Sequence, residues 1–205
     1  MPRVTLSFDN GPDPDITPRV LDVLAERGVT AHFFVLGKWL ADPARRRWVV
    51  RARDDGHLIG NHSFSHATPL GVDPRPDAVE REIAATEALL APILPGPGPK
   101  RFRPFGSGGV LGPQLLSRAA VDHLIAHGYS CVLWNSVPRD WLEPDAWAAR
   151  ASPTARPART RCWSCTTFPA PASPASPASS TPRAARASSW SATYPPTACR
   201  SSPAA

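Results

Sequence analysis

Short apolar runs alternate with stretches of helical periodicity along roughly the first three quarters of this chain. Runs near 3–8, 31–35, 57–60, 101–103 and 130–134 have the length and boundaries of strands, and the patterns near 18–27, 43–54, 77–91 and 113–127 predict helices. Such alternation argues for a parallel sheet or barrel joined by crossover helices. Thr17-Pro18 and Asp42-Pro43 each supply a capping side chain followed by proline at the first helical position, and Gly28, Gly56 and Gly128 supply the stops.

The pattern ends near residue 150. Beyond it no Val, Ile, Leu or Met remains, and Ala, Ser, Pro, Thr and Arg dominate. A segment of that composition is expected to bury too little apolar area to fold. The chain of 205 residues therefore divides into a folded domain over 1–150 and a Pro/Ala/Ser/Arg-rich tail over 151–205, expected to be disordered.

The charge follows the same division. The formal net charge is +6, yet no Asp or Glu follows Asp145 while seven Arg do. The folded part is nearly neutral, so neither nucleic acid nor a membrane is expected as a partner. Met1-Pro2 runs straight into the strand-like Arg3–Phe8, leaving no room for a signal peptide, and a cytoplasmic protein is expected. Only Cys131 precedes the tail, so no disulfide framework is indicated; Cys162-Trp163-Ser164-Cys165 has the spacing of a redox pair but lies in the tail.

Four residues carry the candidate chemistry: Asp9, Asn10, His62 and His66. Asn10-Gly11 is also a common hairpin dipeptide, and two histidines four apart also occur on solvated helix faces. Taken together they read as a metal site. Two neutral imidazoles and one oxygen donor leave coordination positions for water on a zinc-class cation, and a nearby carboxylate can take that water's proton. His32, His57, His123 and His127 read as structural.

The blocks Ser7-Phe8-Asp9-Asn10-Gly11-Pro12-Asp13-Pro14, Phe33-Phe34-Val35-Leu36-Gly37 and Gly56-His57-Leu58-Ile59-Gly60-Asn61-His62-Ser63-Phe64-Ser65-His66 resemble the polysaccharide deacetylase family, carbohydrate esterase family four. Phe102-Arg103-Pro104-Phe105-Gly106 and Val132-Leu133-Trp134 leading to Asp140-Trp141 extend the likeness to about residue 147. The resemblance implies an α/β fold, a distorted and incomplete (β/α) barrel, here truncated. It implies a divalent metal, zinc first, held by Asn10, His62 and His66, with Asp9 as base, Arg103 orienting Asp9, and Asp140 orienting a general-acid His. A backbone N–H near Phe105 would face the oxyanion, and Trp141 would wall the sugar site. The implied substrate is an N-acetylated amino sugar or its polymer.

Three departures stand against this pattern. Asn10 replaces the usual carboxylate, Arg103-Pro104-Phe105 lacks one residue before its aromatic, and the acid His is missing. Reading Arg161–Pro169 one base upstream admits Leu-Leu-Val-Leu-His-Asp-Leu-Pro, which looks like the family's closing strand and His, so a shifted reading frame between about 148 and 161 is expected. Loss of the closing strands would leave an unpaired sheet edge and an impaired enzyme. An amidase acting on a small non-sugar amide and a non-catalytic sugar-binding protein remain as alternatives.

Overall fold

Strand β1 (Arg3–Gly11) carries the first candidate residues and has neighbours on both sides: β2 (His32–Val35) on one and β6 (Thr160–Thr166) on the other, both parallel to it. In the computed structural model, which describes residues 3–142, 146–148 and 160–166, the sheet continues through β3 (Leu58–Asn61), β4 (Lys100–Phe102) and β5 (Tyr129–Cys131) in the order β5-β4-β3-β2-β1-β6. Every pairing is parallel. Among the described residues β5 and β6 do not pair, so this is the open, incomplete form of the barrel. All four residues of β2 are buried, as expected for a central parallel strand covered on both faces.

Helix α1 (Ile16–Arg27) buries Leu21 and Leu24, and α3 (Pro43–Asp54) buries Val49 and Ala52; all four join Phe33, Val35 and Ile59 in one core cluster. Each such leucine or phenylalanine stabilises the fold by about 1.5–3 kcal/mol. A second cluster joins Leu70, Val79 and Ile83 to Phe102 and to Leu124 of α5 (Arg118–Ala126). Between these helices lie α2 (Gly37–Leu40), and a π-helical turn (Glu80–Ala84) that runs into α4 (Ala85–Leu90).

The predicted punctuation is largely present. Asp42 accepts from the Ala44 N–H at 2.8 Å with Pro43 behind it, and Gly28 and Gly128 end their helices at φ 60° and 69°. Three predicted elements differ. Helix α1 starts at Ile16 rather than Pro18, because Asp13 Oδ1 accepts from the Asp15 and Ile16 N–H groups and opens the helix a turn early. The pattern over 113–127 divides into a 3₁₀ turn (Pro113–Leu115) and α5, since Leu116 is extended and Ser117 caps a fresh start by accepting from Ala120 N–H. Strand β5 stops at Cys131 because the next carbonyls, of Val132 and Leu133, accept from Arg103.

Strand β6 is the largest difference. It lies inside the segment read as unable to fold, and it pairs along β1, where the loss of the closing strands was expected to leave a sheet edge unpaired. Averaging over the whole tail hid a local run, Thr160–Thr167, rich in Thr, Cys and Trp and therefore favourable to extended backbone. The rest of 151–205 lies outside the described residues.

Candidate active site

The carboxyl ends of β1, β3 and β4 converge, as parallel α/β sheets bring their chemistry together. Asn10 is not a hairpin residue. The β1–β2 register runs Asp9↔Phe34 and then Gly11↔Val35, so Asn10 is an extra, bulged residue, and its φ is 74°. Asparagine tolerates this left-handed conformation, and a bulge re-aims its side chain beside a site.

Arg103 enters from the end of β4 and is wholly buried. Its Nη1 donates to Asp9 Oδ1 at 2.9 Å and to Ser7 Oγ at 2.7 Å, its Nε donates to the Val132 carbonyl at 3.1 Å, and its guanidinium lies 4.0 Å over the Phe34 ring. A buried charge held this way is compensated on every side, and removing either ionic partner leaves the other stranded.

His62 follows β3 directly. Its Nδ1 is 2.7 Å from the Arg103 carbonyl, which fixes the Nδ1–H tautomer and leaves Nε2 with its lone pair, 4.0 Å from Asp9 Oδ2. Burial lowers the His62 pKa, partly opposed by Asp9. His66 is pushed down to about 3, by burial first and by His62 next. Both imidazoles are thus neutral at ordinary pH, the state in which they ligate. Their ring centroids lie 5.1 Å apart, and Phe105 stacks on His66 at 3.9 Å.

The donor set fits a divalent cation. Asn10, next to Asp9 in the bulge of β1, has a buried Oδ1 that accepts no hydrogen bond among the described residues, an acceptor left unsatisfied unless something electropositive binds it. Among the described residues no three His, Cys, Asp or Glu side chains close on one point. Zinc-class metals accept such mixed nitrogen and oxygen donors.

The structure thus brings Asp9, Asn10, His62, His66, Arg103 and Phe105 together. Asp140 stands half-buried in the turn that Leu142 N–H closes on the Arg139 carbonyl. Trp141 is half-buried after it and makes no ring contact with the histidines among the described residues. Ser7 and Phe34, which hold Arg103, were not singled out from the sequence, although both fall inside the matched blocks. The Phe105 ring, expected beside the substrate, stacks on His66.

A buried carboxylate–guanidinium pair thus lies beside two neutral imidazoles at the carboxyl end of a parallel α/β sheet. Residues 1–122 match the polysaccharide deacetylase family model, and the chain belongs to that family. It is 35% identical over 159 residues to a chitooligosaccharide deacetylase of Rhizobium leguminosarum bv. trifolii, covering 75% of this chain and 68% of that one. It is 36% identical over 143 residues to a peptidoglycan-N-acetylglucosamine deacetylase of Bacillus cereus, covering 68% of this chain and 49% of the relative. Among solved structures, a peptidoglycan N-acetylglucosamine deacetylase in complex with a naphthyl N-hydroxybenzamide aligns with a TM-score of 0.66 at 26% identity, over 80% of this chain and 71% of that one. Several of these relatives are matched over only about three fifths of their own length, 59% and 61% in two chitooligosaccharide deacetylases.

Proposed function

We propose that the gene encodes a metal-dependent carbohydrate deacetylase that removes N-acetyl groups from an amino sugar or its polymer, and that this chain is an impaired form of it. The observation that carries the reading is the pairing of Asp9 with Arg103 across from a tautomer-fixed His62. Asn10, His62 and His66 would hold the cation, zinc first. When bound, a divalent cation polarises the acetyl carbonyl and lowers the pKa of its water.

The chain's own residues do the rest. Arg103 holds Asp9 Oδ1, and Asp9, whose Oδ2 lies 4.0 Å from His62 Nε2, takes the proton of the attacking water. A backbone N–H near Phe105 donates to the oxyanion as it forms. Asp140 and Trp141 belong to the leaving-group side. The family's acid His, which would protonate the amine, is absent from the written sequence. In the upstream reading frame its codon straddles Cys165 and Thr166, and in the β1–β6 register those residues pair with Phe8 and Asp9. That coincidence supports a shifted frame, because a restored strand there would end beside the proposed base.

The test is acetate release from N-acetylglucosamine oligomers by this chain and by the protein from a frame-restored gene. The restored protein should release acetate, lose that activity to a chelator and lose it on His62→Ala, while the present chain turns over slowly or not at all. Acetate release surviving His62→Ala would sink the reading, and ammonia release from small amides in its place would favour an amidase. A second reading, a non-catalytic sugar-binding protein, is favoured by the neutral Asn10; it predicts metal-independent sugar binding without product.

A further inference from the structure

Every backbone N–H and carbonyl of the loop Ser63-Phe64-Ser65, which spaces the two histidines, is hydrogen-bonded to a residue outside the loop. Its three carbonyls are taken by α2: Gly37 N–H donates to Ser63 at 3.0 Å, Lys38 N–H to Phe64 at 3.1 Å and Lys38 Nζ to Ser65 at 2.9 Å. Its three N–H groups go elsewhere. Ser63 N–H donates to Asn61 Oδ1 at 2.9 Å, and the other two converge on one oxygen, Glu82 Oε2, at 3.1 Å from Phe64 and 2.8 Å from Ser65. Glu82 Oε1 accepts from Ser65 Oγ at 2.7 Å and from Arg75 at 3.1 Å.

Glu82 is 2% exposed, so its charge is sustained only by these donors. The loop needs such a clamp, since Ser63 and His66 both adopt left-handed backbone, at φ 72° and 56°, which costs energy outside glycine. The helix that carries Glu82 is built for the contact. Its Glu80–Ala84 turn is π-helical, and the widened turn leaves the Ile83 carbonyl to accept from Asn61 Nδ2 at 2.9 Å. Asn61 and Glu82 therefore tie the loop to one turn of helix at adjacent points.

We propose that Glu82 is a positioning residue for the metal-binding loop: its carboxylate, presented by the π-helical turn, fixes the Phe64 and Ser65 amides and thereby the spacing of His62 and His66. The proposal rests on the metal-site reading above, and it makes a separate claim about the metal-free protein.

Two measurements on the full 205-residue chain test it: hydrogen exchange at the Phe64 and Ser65 amides without metal, and zinc affinity by competition with a chromogenic chelator. Glu82→Ala should speed exchange at those two amides at least about tenfold while the β3 amides keep their protection. Zinc affinity should fall about 10–100-fold, the range for loss of a residue that orients ligands. Glu82→Gln, which still offers one oxygen to both amides, should fall between Ala and wild type. Ser65→Ala, which keeps both amide bonds, should stay near wild type.

Wild-type exchange at both amides in Glu82→Ala, or zinc affinity unchanged despite faster exchange, overturns the proposal. If Glu82→Ala does not fold, the comparison of Glu82→Gln with Ser65→Ala decides, and equality of the two overturns it. A wild-type chain that binds no zinc would defeat the metal-site reading instead, and the exchange arm would still decide whether Glu82 holds the loop.

Discussion

The chain carries two histidine pairs of identical spacing, His62/His66 and His123/His127, in opposite surroundings. The first follows β3 in a clamped loop; His62 is buried, His66 is half-buried under Phe105, and the Arg103 carbonyl holds the Nδ1 of His62. The second ends α5, where the rings stack on each other at 4.0 Å and the exposed His127 turns its Nδ1 onto the His123 carbonyl at 2.9 Å. That carbonyl already accepts from the His127 N–H at 3.0 Å, so the ring only adds a second bond at the helix end. Spacing is shared, and the difference lies in burial and in what the other ring nitrogen touches. A His-x3-His motif can serve as a ligand pair only where its neighbours fix a tautomer and keep the outer nitrogen's lone pair, as the Arg103 carbonyl does for His62.

The largest effect is expected at the group that organises the first pair and has no counterpart beside the second. Arg103→Met strands the Asp9 carboxylate in the interior and should lower the unfolding free energy by about 3–5 kcal/mol in denaturant titration. The like change at Arg118, which forms an exposed pair with Asp122 on the helix of the second histidines, should cost at most about 0.5 kcal/mol. Equal losses at the two arginines would erase the contrast.

Next in size, His62→Ala should weaken zinc binding more than about 100-fold, beyond what losing an orienting partner costs, while His123→Ala leaves it unchanged. Matching losses would mean that spacing alone makes the site.

Burial also separates histidines by pH. His32 is pushed from 6.5 down to about 3, by burial first and then by Arg101 and Arg103. The unfolded chain takes up that proton near pH 6.5 and the folded one only near 3, so its stability is intact above 6.5 and is lost as pH falls through the window between. His32→Gln should flatten the fall in unfolding free energy between pH 6.5 and 5 by about 1.4 kcal/mol per pH unit. An unchanged slope would show that His32 is protonated in the fold.

The smallest effect sharpens the first site. Asn10→Asp adds a carboxylate where an amide oxygen stands and should tighten zinc about tenfold, a gain of about 1.4 kcal/mol. Zinc affinity left the same in this variant would place position 10 outside the donor set.

How much of this could be read in advance depended on whether the signal was local. Asp42-Pro43 and the stops at Gly28 and Gly128 are short-range backbone chemistry, and the structure shows them as the sequence implies. The Asn10 bulge was not legible, because a bulge is defined by the partner strand, and Asn-Gly means several things until β2 is beside it. Glu82 was hidden for a related reason. One wide turn inside a helical pattern barely disturbs the apolar period, and the carboxylate's partners lie seventeen and eighteen residues back. Composition misled at Thr160–Thr166, where an average over 55 residues concealed seven able to extend along β1.

The pairing of Arg3 with Thr160 has a consequence for synthesis. β1 leaves the ribosome before β2, and the strand that covers its outer edge leaves only after β5. At about 5–20 residues per second, the nascent chain carries that bare edge for roughly 10–30 s, open to any extended segment nearby. A chaperone that holds nascent chains would act on this protein over that interval, between the emergence of β1 and the arrival of β6.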